Sequence, residues 1–270
     1  MHKHNVLSFG AGVQSTALLL LILKEPDRMR ELMGEIPDLI LFADPGAESP
    51  ETYRHIELMR ELLNNIPCAP EFWQVSMGNI LDINNDVSYL KGASTLPLYT
   101  KNAENKTVML RRQCTNQYKI RPLQWAMRYK YGYEPRKRYP HSVGVWLGIS
   151  IEEASRMSDS RNEWSDNIYP LIELGWNRTD CYNYCLTHGV KTVKSRCYFC
   201  PFISDWQSVR REQPDEFKLA VEFDKQLRHL SRTKHPAYLH RSCLPLDESV
   251  HIQPSLFDGF DNECTGHCGV

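Results

Sequence analysis

"LSFGAGVQSTALLLLILKE" occupies residues 7–25. A short apolar run enters Gly-Ala-Gly, passes Gln-Ser-Thr and continues as a long apolar stretch. The pattern predicts a strand over 5–9 and a helix over 14–25. In an open parallel sheet, ligands bind beyond the carboxyl ends of the strands, so the turn between these two elements is well placed for a site. Its small residues let the backbone approach a ligand, and Ser15 and Thr16 stand at a helix N-terminus, where spare N–H groups and the helix dipole favour an anion. Three identities compete for this turn. A Walker loop requires Gly-Lys-Ser/Thr, and lysine is absent here. A dinucleotide fingerprint requires a third glycine, and Ser15 stands in its place. A purely structural turn is the third.

Working outward, "PDLILFADPG" (37–46) reads as a buried strand ending in a turn signal. "SPETYRHIELMRELLNN" (49–65) reads as a helix. Ser49 caps it, Pro50 suits the first helical position, and Ile56, Met59, Leu62 and Leu63 give it an apolar face. "EFWQVS" (71–76) and "SVGVWLGIS" (142–150) are further strands. Alternating strands and helices predict an α/β fold, a parallel sheet with helices on both faces. Residues 78–109 are polar and irregular and are expected to form a loop over the site. After residue 175 the pattern turns to helices and cysteines. The division expected is therefore 1–175 for a nucleotide-binding domain and 176–270 for a cysteine-rich, mostly helical extension. "EQPDEFKLAVEFDKQLRHLSR" (212–232) reads as an amphipathic helix that packs over the extension's core.

The chain has 270 residues and a formal net charge of −1, so no global field points to nucleic acid or membrane. No apolar run approaches the ~20 residues of a membrane span, and "MHKHNVLSFG" lacks a signal pattern, so a cytoplasmic protein is expected. Nine cysteines in such a chain argue for thiols or metal over disulfides. Cys197 and Cys200 form a Cys-x-x-Cys before Pro201, a metal or redox knuckle. Cys181 and Cys185 lie one helical turn apart upstream, and Cys264 and Cys268 lie in the tail "NECTGHCGV". Zinc and an iron–sulfur centre both suit thiolate sets of this kind. Cys68 and Cys243 are isolated. "RYKYGYEPRKRYPH" (128–141) is basic and aromatic, which fits either a nucleic-acid contact or a solvated, tyrosine-anchored loop.

Five segments, in order, resemble the PP-loop proteins of the adenine nucleotide alpha hydrolase superfamily, in the form found in phosphoadenylyl-sulfate (PAPS) reductases. They are "SFGAGVQSTALL", "LFADPGAESPETYRHIELMRE", "RRQCTNQYKIRPL", "GISIEEASRMS" and "YPLIELGWNRTDCYNY". The resemblance implies a Rossmann-like fold that binds ATP or PAPS, with Mg2+ as a further candidate. Ser8, Gly10, Gly12, Gln14, Ser15 and Thr16 would form the phosphate loop, with Asp44 beside the nucleotide and Lys119 and Arg156 on phosphate or sulfate oxygens. The cysteine segments are similar to those of DNA-phosphorothioation sulfur-transfer proteins and of phage- and island-encoded PAPS-reductase-like proteins. That likeness implies an iron–sulfur cluster of the 4Fe-4S type, held by Cys181, Cys197 and Cys200 with Cys268 or Cys264 completing the set. "ECTGH" also has the spacing of the reductases' sulfur-accepting cysteine, which makes Cys264 a candidate nucleophile, with Cys114 in the nucleotide site as another. The reactions implied are reduction of PAPS, with a thioredoxin-like partner, or ATP-dependent sulfur transfer to a nucleic acid. A zinc-bound nucleic-acid binder without catalysis is the alternative of a different class, and a homodimer is compatible with each.

Overall fold

A computed structural model describes residues 2–82, 95–134, 136–230 and 236–250. Its centre is a five-stranded parallel sheet of β1 (His4–Ser8), β2 (Leu39–Ala43), β3 (Glu71–Val75), β6 (Val143–Leu147) and β7 (Ser165–Ile168). The spatial order is β3-β2-β1-β6-β7, so the chain fills one side of β1 and then the other. Ser8 registers against Leu41 on one side and Leu147 on the other. The carboxyl end of β1 is thereby the point where the strand order reverses.

Alternation along each strand divides the side chains between two faces. Leu7, Ile40, Phe42 and Trp146 join the core formed with α1 (Val13–Lys24) and α3 (Pro50–Asn64). Val6, Leu39, Leu41, Val143, Val145 and Leu147 pack instead with Leu123, Ala126 and Met127 of α4 (Arg121–Lys130). Both faces are therefore covered, and β2 and β6, buried along their whole length, are continuous apolar runs for that reason. α1 is apolar nearly all round because it is nearly all buried, from Thr16 to Ile22.

The expected strands and helices of the first 150 residues are present, with ends that differ by up to three residues. Others lacked a strong signal: α2 (Pro26–Met33), the edge strand β7 and the short α5 (Pro170–Glu173). Inside the expected loop of 78–109, the chain forms the hairpin β4 (Tyr99–Lys101) and β5 (Thr107–Met109), which Tyr99 ties to Tyr238 by reciprocal backbone hydrogen bonds of 2.9 and 2.8 Å. Residues 83–94 of that segment lie outside the described residues.

Packing continues across residue 175. α6 (Arg178–Thr187) lies on α1, and its Cys181 and Cys185 belong to the first core. A further core collects Phe199, Trp206, Phe217, Phe223 and Leu239 from the second half, with Ile80 and Leu98 from the first. It is built on α7 (Trp206–Glu212), α8 (Pro214–Leu230) and α9 (Leu246–Ser249). The expected amphipathic helix is α8, whose buried Phe217, Ala220, Phe223 and Leu227 face this core. Cys264 and Cys268, with the rest of the tail after residue 250, lie outside the described residues. Among the described residues no helix is long and apolar enough to cross a membrane.

Candidate functional site

A cleft opens at the carboxyl ends of β1, β2 and β6. Ser8, Gly10, Gly12, Gln14 and Ser15 form one wall of it. The loop is a tight device. Ala11 is fully buried at φ 57°, a left-handed conformation that costs an L-residue roughly 1–2 kcal/mol. Gly12 N–H donates to Ser15 Oγ at 3.2 Å, and the Ser15 hydroxyl donates back to Gly12 O at 3.2 Å. The helical ladder opens with Thr16 N–H to Gly12 O at 3.0 Å, so the amides of Val13, Gln14 and Ser15 head the helix beside the cleft. A Cβ on Gly12 would meet nothing within 4 Å.

Charge is lopsided in the cleft. Lys119, Arg156, Arg178, Lys194 and Arg196 line it, and Glu153 is the acid beside them. Lys119 reaches it from the π-helical turn Thr115–Ile120, where its Nζ donates to Glu48 Oε1 at 2.9 Å. Arg156 comes from a 3-10 turn after β6 and pairs with Glu153, which also accepts from Gln14 Nε2 at 3.1 Å. Arg196 is held from behind by Glu216 at 2.6 Å. Burial pushes the Glu216 carboxyl up, and the Arg196 guanidinium opposes that shift. Apolar Phe42, Ala43, Leu123, Leu147 and Ile149 line the same cleft. The arrangement can take a polyanion with a flat apolar part.

Thr16, expected in the phosphate loop, and Asp44, expected beside the nucleotide, do not line the cleft. Thr16 is fully buried, with its hydroxyl 2.8 Å from His55 Nε2 on α3. Asp44 does end β2, but its carboxylate is engaged by Gly46 N–H at 2.7 Å, Tyr53 OH at 2.8 Å and Gln74 Nε2 at 2.7 Å, and the residue does not line the cleft. It shapes the turn into α3. Burial in the core pushes His55 down to about 4, so the imidazole is neutral.

The cysteines separate. Cys181 and Cys185 are fully buried against α1, and burial pushes both thiols up to about 12. Cys114, Cys197 and Cys200 all pack against the core of the second half. Cys200 lines the cleft. The expected ligands Cys181, Cys197 and Cys200 are therefore not brought together. Among the described residues no group of three or more His, Cys, Asp or Glu side chains is arranged to hold a metal ion. The remaining expected ligands, Cys264 and Cys268, lie outside the described residues.

Sequence reading missed Gly148, Lys194, Arg196 and Glu48. The first had a signal: glycine directly after a buried strand at the sheet's carboxyl edge. Lys191, Lys194 and Arg196 form a basic run before the Cys-x-x-Cys, which was also legible. Glu48 is fully buried and had none. In the basic-aromatic stretch, Tyr133 is buried and stacks on Tyr139 at 4.3 Å, and Tyr131 and Tyr139 pack on the same core. These rings anchor the segment.

No protein-family model matches the chain, and no curated protein matches it.

Proposed function

We propose that the protein is a PAPS reductase-like enzyme of the PP-loop type, binding an adenine nucleotide in the cleft at the carboxyl edge of the sheet. One observation carries this reading: a helix-terminal loop at the strand-order reversal and five cationic side chains, Lys119, Arg156, Arg178, Lys194 and Arg196, share one cleft. The amides at the head of α1 accept phosphate oxygens, and the Ser15 hydroxyl turns from Gly12 O to the anion. Lys119 and Arg156 exchange their carboxylate partners for phosphate or sulfate oxygens, with the planar guanidinium suited to paired oxygens. The apolar wall of Phe42, Leu147 and Ile149 takes the base.

The cation excess suits the triphosphate of ATP as well, the ligand of an adenylating sulfur-transfer enzyme, so binding is titrated with PAPS and ATP in parallel. Ser15→Ala is expected to weaken the preferred nucleotide by roughly 1–2 kcal/mol, a hydrogen bond to a charged acceptor. Gly12→Val is expected to do more. A Cβ at this position meets nothing within 4 Å, so the fold is expected to survive while the ligand's space is filled. Unchanged calorimetric affinity in both variants, with the circular dichroism of the parent, defeats this assignment.

A further inference from the structure

The outward face of α4 carries side chains that a helix normally turns inward. Arg121, Trp125 and Tyr129 recur every four residues and form one exposed stripe, while Leu123, Ala126 and Met127 take the buried side. Trp125 is 64% exposed and Tyr129 71%, more than any other large apolar side chain among the described residues. Their rings stack, 5.6 Å between centroids and 13° between planes. The Tyr129 ring also lies 6.4 Å from that of Trp73 on the edge strand β3, and Lys130 Nζ sits 5.2 Å over that indole. Single exposed apolar residues are ordinary, whereas stacked aromatic rings held open to solvent form a flat platform. Cations surround it. Residues 110–141 hold nine lysines and arginines and one acidic residue, Glu134, in a chain of net charge −1. Glu134 pairs with Lys137 and Glu71 with Lys130. Arg121 and Arg128 on α4, and Arg136 and Arg138 in the loop after it, have no carboxylate partner among the described residues. The first turn of α4 borders the cleft, since Lys119 just before it and Leu123 within it line the wall. From Arg121 to Tyr129 the stripe spans about 12 Å of helix, at ~1.5 Å per residue.

We propose that this face binds single-stranded nucleic acid, with bases stacked on Trp125 and Tyr129 and phosphates met by Arg121, Arg128 and the arginines of the following loop. The inference goes beyond the nucleotide reading and does not depend on it, because neither ring lines the cleft. An exposed aromatic pair accepts any base, since every base has a π face, and the surrounding cations answer a backbone charged at every residue. A duplex is the poorer occupant. Its bases are stacked on one another and present only their edges in the grooves. The cation excess selects a polyanion over an apolar protein surface. A strand laid along the stripe arrives at Arg121, next to the cleft.

The test is fluorescence anisotropy of the full chain with labelled oligothymidylate and oligouridylate strands of about fifteen residues, the scale of a single-strand site. The parent is expected to bind at least one of them, less tightly as salt rises. Trp125→Ala and Tyr129→Ala are each expected to weaken binding roughly 5- to 150-fold, the loss of one stacked base. Trp125→Phe keeps a ring and is expected to retain most of the affinity. Arg121→Gln is expected to flatten the logarithmic salt dependence by about 0.7, one phosphate contact on a single strand. Both alanine variants are expected to keep the parent's circular dichroism and its PAPS and ATP affinities, because both rings are exposed and outside the cleft. A parent that binds neither strand at low salt overturns the proposal. So does strand binding that both alanine variants retain in full, or a duplex of equal length bound as tightly as the strands. A dimer seen by sedimentation and dissolved by Trp125→Ala also overturns it, since a second copy of the chain then covers the face. A parent that binds the strands but no nucleotide overturns the reading of the cleft and leaves this surface standing.

Discussion

Gly148 shows how closely single residues set this site. A Cβ there would lie 2.8 Å from Ser15 N and 3.1 Å from Gln14 C, both backbone atoms in the first turn of α1. Gly148→Ala must push α1 from the end of β6, at a cost of about 1–3 kcal/mol for overpacking. Denaturant unfolding is expected to show that loss together with weaker nucleotide binding, because the displaced atoms head the helix. His55 is the second sensitive residue, and its effect appears in pH. The unfolded chain takes up a proton through about pH 6.5, whereas the buried ring resists until about 4. Its contribution to stability is complete above the unfolded value and falls as pH drops through this window. The parent should lose on the order of 1.5 kcal/mol from this residue between pH 6.5 and pH 5, and His55→Gln should flatten that slope in urea titrations. Neither residue's role was legible from sequence. A glycine's neighbour across the sheet and a histidine's partner on another helix are long-range facts. The loop residues Gly12 and Ser15 were legible because their geometry is local.

At the scale of elements, the well-read pieces are those whose chemistry is contained within them. α3 begins where its cap places it: Ser49 Oγ accepts from Thr52 N–H at 3.2 Å, and Pro50 fills the first position. Ser49→Ala should cost about 1 kcal/mol. For a chain of this size that lowers the melting temperature by roughly 2–4 °C, measured by thermal unfolding at neutral pH. β2 and β6 were legible because burial on both faces makes a strand apolar throughout. β7 was not. Its residues Ser165–Ile168 are mostly half-buried at the sheet edge, and it is a strand because Val143–Trp146 pairs with it. The hairpin of β4 and β5 is likewise specified by its partner Tyr238, more than a hundred residues away. α6 was read for its cysteines, yet the one-turn spacing of Cys181 and Cys185 marks the helix face that packs on α1. A pair of small apolar side chains and a pair of ligands have the same spacing, and only the packing separates them.

Over the whole molecule, two bodies of core meet at the cleft. The sheet and its helices supply the loop, and the second half supplies Lys194, Arg196 and Cys200 to the same cavity. The α/β class followed from the alternation of patterns, since each strand and helix carries its own period. The closing of the second half over the sheet edge did not, because no local pattern records which loop a distant turn will touch. Nucleotide binding should therefore register in both halves at once. Amide hydrogen exchange of the full chain, with and without PAPS or ATP, tests this most directly. The account predicts slower exchange in residues 9–16 and in residues 193–203 when the preferred nucleotide is present, and loss of both effects in Gly12→Val. Protection confined to other segments, or none in residues 9–16 at saturating nucleotide, would contradict it.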